Sequence, residues 1–266
     1  MGMSASARLI LGLAMSLIAP ATTPGAAAPT VVVAELFTSE GCSSCPPADT
    51  LMRQLAEAQP FDGAELIAVE EHVDYWDRLG WRDPFSSAQF TSRQAAYNER
   101  VFRSDAIYTP QLVVDGVREC VGSDRSAVRA IVAESMRTPR AAVHVQPVAI
   151  ASHLSVSVSI DVPPTVERRG VADVFVIIAE RGLVSVVRRG ENGGRTLAHG
   201  AVARSLATID EFSQRDRAFT GTVDLPLGPN WNIGNLQIVG VIQERDSRRI
   251  LGAGAAQPSF RPGSDR

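Results

Sequence analysis

A chain of 266 residues holds one large domain or two ordinary ones. Hydrophobic residues at 45% and charged residues at 21% lie near the globular average, which excludes a disordered or collagen-like chain. The balance of 26 basic against 29 acidic residues, net −3 without a block of like charges, argues against a nucleic-acid partner. Every basic residue is arginine, so a Schiff-base lysine, a Walker-A lysine and a lysine general base are all excluded. The histidines His72, His144, His153 and His199 form no His-x-x-x-His pair, which leaves a zinc-protease reading without support.

Arg8 precedes an apolar run from Leu9 to Ala19, followed by a stretch rich in Ala, Thr, Pro and Gly. This reads as a secretory signal peptide over residues 1–27, too short to span a bilayer. A secreted or periplasmic location follows, with no membrane span left after cleavage, and there disulfides persist.

Val31–Phe37 reads as a buried strand broken only by Glu35. Pro46-Pro47 opens a helix that carries Leu51, Met52 and Leu55 on one face. Glu65–Val73 is a second strand, and the aromatic-rich Tyr75–Phe85 a packed insertion. Ser86 with Gln89 forms a capping box for a helix to about Val101. Gln111–Val114 and Val117–Val121 flank Asp115-Gly116, a two-residue hairpin signal. Ala127, Val128, Ile131, Val132 and Met136 stripe a closing helix. From Ala141 the period becomes two: Leu154, Val156, Val158 and Ile160 alternate with serines, and further runs include Val174–Ile178 and Leu236–Ile242. The expected organisation is an α/β domain over 30–138 followed by a smaller, mostly antiparallel sandwich-like β domain over 141–258.

Cys42-Ser43-Ser44-Cys45 stands after a strand and directly before a helix. The helix start presents free amides and partial positive charge, which favour a thiolate on Cys42. Two intervening residues let Cys45 reach back, close a disulfide and resolve a mixed one. A zinc reading would need a second Cys/His pair at ligand spacing, and there is none.

The segment Val31–Asp49, VVVAELFTSEGCSSCPPAD, resembles the opening of the domain of unknown function 1223 family, secreted bacterial proteins of thioredoxin-like fold. His72-Val73-Asp74-Tyr75-Trp76-Asp77, Leu79–Phe85, Tyr108-Thr109-Pro110-Gln111 and Arg189–Leu197 carry the same resemblance. It implies a thioredoxin-like first domain in which Pro110, preceded by Thr109, is a cis-proline facing the cysteine pair. Ser43 and Ser44 replace the glycine and proline of the best-known thioredoxins, so the redox potential does not transfer.

Three functions compete. The first is an exported thiol–disulfide oxidoreductase with Cys42 as nucleophile and Cys45 resolving, acting on protein thiols or disulfides and needing no cofactor. The second is a non-catalytic binding module stapled by a structural disulfide. The third is a copper-type metal-handling protein using Cys42, Cys45 and His72. Cys120 reads as a small buried apolar residue, Glu191–Arg195 as a hairpin turn, and Arg195 as a candidate anion ligand.

Overall fold

A computed structural model describes residues 29–260; the signal peptide expected at 1–27 lies outside the described residues. The first half runs β1 (Thr30–Thr38), α1 (Pro46–Ala58), β2 (Ala64–His72), α2 (Ala88–Tyr97), β3 (Gln111–Val114), β4 (Arg118–Val121) and α3 (Arg125–Ser135). The second half is strand apart from one 3-10 turn at Ile233–Asn235: β5 (Ala142–Ile150), β6 (His153–Asp161), β7 (Ala172–Arg181), β8 (Val184–Val186), β9 (Thr196–Ala198), β10 (Ala201–Phe212), β11 (Ala218–Pro226), β12 (Leu236–Glu244), β13 (Ile250–Ala256) and β14 (Ser259–Phe260).

An eight-stranded sheet has the order β13-β12-β7-β10-β2-β1-β3-β4, so strands of both halves share it. The join is a parallel contact of β10 with β2, Val202 opposite Glu70. The change from mixed helix and strand to mostly strand falls between α3, ending at Ser135, and β5, starting at Ala142, and the large sheet runs through both halves. A four-stranded sheet, β11-β6-β5-β14, packs on the second half of the large one. Leu154, Val156, Val158 and Ile160 meet Val174, Val176, Ile178 and Ile238 there, as period-two patterning demands.

In the first half, β1 pairs with β2 in parallel and with β3 antiparallel, and β3 with β4 antiparallel. Alternation then sets two faces. Val32, Ala34, Leu36, Leu66 and Ala68 face Leu51, Met52, Leu55, Val128 and Val132 of α1 and α3. Val33, Ile67 and Val69 face the other way, with Phe90 of α2 and Phe175 and Ile177 of β7.

Two local expectations are corrected. The cap of α2 is Ser87, whose side chain accepts from the Gln89 amide, while Ser86 Oγ instead donates to Asp77 Oδ2. Ser86 is drawn off by the acidic insertion, and α2 ends at Tyr97, continued by a π turn over Asn98–Phe102. The β3–β4 hairpin pairs Val114 with Arg118, so Val117 lies in the connection. Asp115 and Gly116 both take positive φ (49° and 74°), as a tight turn requires. Asp115 is held there by accepting from the Val33 amide at 2.9 Å and from Ser135 and Arg140. Among the described residues, no helix is long and apolar enough to cross a membrane.

Candidate functional site

The loop after β1 carries the cysteines. Thr38, Ser39 and Glu40 are buried at the strand end, and the chain turns through Gly41, where the Cys42 amide donates to the Ser39 carbonyl at 3.1 Å. A Cβ at Gly41 would stand 3.1 Å from Trp76 Cβ, so glycine lets the loop lie against the aromatic insertion. Cys42 and Cys45 are joined, with Cα atoms 5.4 Å apart, and Cys45 forms the N-cap of α1. Both cysteines are completely buried, although Ser43 and Ser44 between them are exposed.

The structure brings Thr109 and Pro110 to this motif. The Thr109–Pro110 peptide is cis, and Ser44 Oγ donates to the Thr109 carbonyl at 3.4 Å. Trp76 Nε1 donates to Thr109 Oγ1 at 2.9 Å, fixing that segment from the insertion.

The second half closes the site. The connection between β8 and β9 folds over the cysteine loop. Glu191 Oε2 accepts from the Ser43 amide at 3.1 Å and from Ser43 Oγ at 2.6 Å. These bonds hold the exposed Glu191 carboxyl below the usual range. Buried Asn192 donates through Nδ2 to the carbonyls of Glu40 and Cys42, both at 2.9 Å, and Arg195 Nη1 orients it by donating to Asn192 Oδ1 at 2.7 Å. The turn foreseen at Glu191–Arg195 is therefore also a clamp on Cys42, and Arg195 serves a side-chain amide.

Beneath the loop lies a buried polar cluster. Successive even positions of β2 put Glu70 and His72 on the α1 face, and the β10–β2 contact places His199 and Gly200 beside them. Asp83 Oδ2 lies 2.7 Å from His72 Nδ1 and accepts from the Glu40 amide at 2.8 Å. Glu40 Oε1 lies 3.2 Å from His199 Nε2, and Glu40 Oε2 accepts from Trp81 Nε1 at 2.7 Å. The Gly200 amide donates to both Glu70 oxygens, at 2.9 and 3.0 Å. Asp49 of α1 accepts from Thr38 Oγ1 at 2.7 Å.

Burial, then the nearby Asp49 carboxylate, raises Glu70 to about 8. Burial likewise raises Asp49. For His72 desolvation works downward, but the carboxylates of Asp83, then Asp49 and Glu70, together outweigh it and bring the imidazole up to about 9. Asp83 moves the other way, below its usual value, because His72 and the amides of Glu40 and Phe85 together overcome the effect of burial.

His72, named from the sequence, is thus a buried member of an ion pair. Among the described residues, the group of side chains placed to share a metal ion is Glu70, His72 and His199; the two cysteines stand outside it. Cys120 is half-buried on β4, with burial pushing its thiol up to about 11. Glu40, Asp49, Glu70, Glu191, Asn192 and His199 were not named as site residues from the sequence. The available signal was Glu70-Glu71-His72, three ionisable residues directly after the apolar run Leu66–Val69.

Residues 33–243 match the model of a family described as Protein of unknown function (DUF1223). The chain belongs to that family. Among solved structures it is similar to protein AGR_C_4864 from Agrobacterium tumefaciens, with TM-score 0.64 and 26% identity over 86% of this chain and 95% of that one. It is also similar in fold to HBP35 of Porphyromonas gingivalis, with TM-score 0.63 and 11% identity over 90% of this chain and 79% of that one. No curated protein was found to match.

Proposed function

We propose that this DUF1223 protein is an exported thiol–disulfide oxidoreductase in which Cys42 attacks and Cys45 resolves. The observation that carries this reading is the Cys42–Cys45 disulfide at the start of α1, with Ser44 of the same loop bonded to the Thr109–Pro110 segment. The strand order β2-β1-β3-β4, with β1 and β2 parallel and the other two antiparallel, supports a thioredoxin-like frame around it. The leader read at residues 1–27 would deliver the chain to a compartment where such a pair persists.

The exchange balances simply. The Cys42 thiolate attacks one sulfur of a partner disulfide and expels the other as a thiolate. Cys45 then attacks Cys42 Sγ, releasing the second partner thiol. Two electrons pass to the partner while the Cys42–Cys45 bond forms, and the reverse sequence oxidises a partner dithiol. Glu191 opposes this chemistry in the closed form: its carboxylate occupies the Ser43 amide and puts negative charge over the motif. Displacing the Glu191–Asn192 clamp would uncover the sulfurs and free that amide for a thiolate.

The burial of both cysteines favours a second reading, a structural staple in a binding module. Trapping separates the two. In a Cys120→Ser background, Cys45→Ser should accumulate mixed disulfides with partner proteins that vanish on reduction, and Cys42→Ser should not. A folded Cys45→Ser chain that traps nothing would leave the staple reading.

A further inference from the structure

We propose that Glu70, His72 and His199 form a binding site for one divalent first-row transition ion of the zinc class, separate from the cysteine chemistry. The three side chains each offer a ligand atom, and these atoms lie within 4.8 Å of one another. Glu70 Oε2 stands 3.8 Å from His199 Nδ1, and the two imidazole rings have centroids 5.0 Å apart. All three side chains are buried.

The unused atoms point the same way. His72 Nε2 and His199 Nδ1 are buried without a hydrogen-bond partner among the described residues. Leaving a buried polar atom unpaired is costly, so two on adjacent rings need a reason. The opposite nitrogen of each ring is engaged by a carboxylate: His72 Nδ1 by Asp83 at 2.7 Å and His199 Nε2 by Glu40 at 3.2 Å. A carboxylate behind each imidazole is the arrangement that orients metal-binding histidines and raises their basicity. Phe85 lies edge-on to both rings, centroids 5.5 Å away, and gives that side an apolar wall.

Two imidazoles and a carboxylate suit zinc and its neighbours in the first transition row. Calcium and magnesium prefer all-oxygen shells, and copper(I) prefers sulfur. Three protein donors also leave a tetrahedral ion one open position. His199 and Gly200 line a cavity of about 430 Å³ together with Arg53 and Ala68, which supplies an approach to the cluster.

The test uses the full exported chain with the Cys42–Cys45 disulfide intact and Cys120→Ser, so that no thiol competes. After chelator treatment, zinc chloride is titrated calorimetrically, and cobalt(II) is added in parallel to read coordination from visible absorption. The expected result is one equivalent of zinc and a four- or five-coordinate cobalt spectrum. His199→Gln should weaken zinc binding at least ~100-fold, and Asp83→Asn, which removes the carboxylate behind His72, by about 10–100-fold. The exposed His144→Gln should change nothing. Failure of the unaltered chain to bind, or binding untouched by His199→Gln, would overturn the proposal. Neither result bears on the trapping experiment with Cys45→Ser, so the two readings fail independently.

Discussion

Strand β2 carries two buried polar clusters on its opposite faces, and they are built on opposite terms. On the α2 face, Glu71 joins Glu35, and the guanidinium of Arg93 lies between them, donating to Glu35 Oε1 at 2.6 Å and standing 3.4 Å from Glu71. Tyr97 Oη donates to Glu35 Oε2 at 2.5 Å and accepts from Arg93 and Gln243. Burial and the neighbouring Glu35 hold the Glu71 carboxyl well above its usual range, and the guanidinium of Arg93 works against them. On the α1 face, Glu70, His72, Asp83, Glu40 and His199 gather without an arginine at their centre; the atoms left without a hydrogen bond there are two imidazole nitrogens, whereas on the α2 face they are the two Glu71 oxygens, which face Arg93. A cluster closed by arginine is architecture, locking α2 onto the sheet. A cluster closed only by histidines, with unspent donors, retains capacity for a ligand. Glu40 connects that second cluster to the disulfide, since its carbonyl takes Asn192 and its carboxylate faces His199.

The largest expected effect breaks the closed cluster. Arg93→Met leaves Glu35 buried without its cation and should cost about 3–5 kcal/mol of unfolding free energy in urea. A loss below about 1 kcal/mol would show that the arginine is not what holds that face together. Zinc at a hundredfold excess over its dissociation constant should then add about 2.7 kcal/mol to the unaltered chain. The same increment should appear in Arg93→Met and shrink to about 0.4 kcal/mol or less in His199→Gln. An equal gain in all three chains would erase the distinction between the clusters.

Much of this was legible in the chain, but unevenly. The strand–CxxC–helix order, the Asp115-Gly116 turn and the serine-alternating strand β6 follow from local patterns, each fixed by residues within one element. The shared sheet was not legible, because the β10–β2 contact is a pairing of distant strands that no local period encodes. The metal-competent group escaped for the same reason. His199 is far from Glu70 and His72 in sequence, so spacing rules for ligand pairs do not see it. The clamp was hidden by its composition: Glu191-Asn192-Gly193-Gly194 reads as a turn, and it is one, while its side chains act on a loop some 150 residues away (|i−j| = 150 for Asn192 and Cys42).

Smaller effects sharpen the role of that clamp. Asn192→Ala removes two buried bonds and should cost about 1–3 kcal/mol, with faster reduction of the disulfide by dithiothreitol. Glu191→Ala should leave the unfolding midpoint unchanged, since the side chain is exposed, yet accelerate reduction by roughly severalfold through loss of the Ser43 bonds. Unchanged reduction rates in both variants would mean that the β8–β9 connection does not guard the sulfurs. Cys120 supplies the weakest signal. With its thiol pushed up to about 11, only about a thousandth should be thiolate at pH 8, and alkylation by iodoacetamide should climb steadily as pH rises towards 11. A rate already at its plateau by pH 9 would remove burial as the control.

The reduction potential of Cys42–Cys45, equilibrated against glutathione in a Cys120→Ser chain, tests the redox reading most directly. A working couple should fall between about −120 and −270 mV, within the range of proteins that exchange disulfides. A value below about −300 mV would contradict it and leave the pair as a staple beneath its clamp.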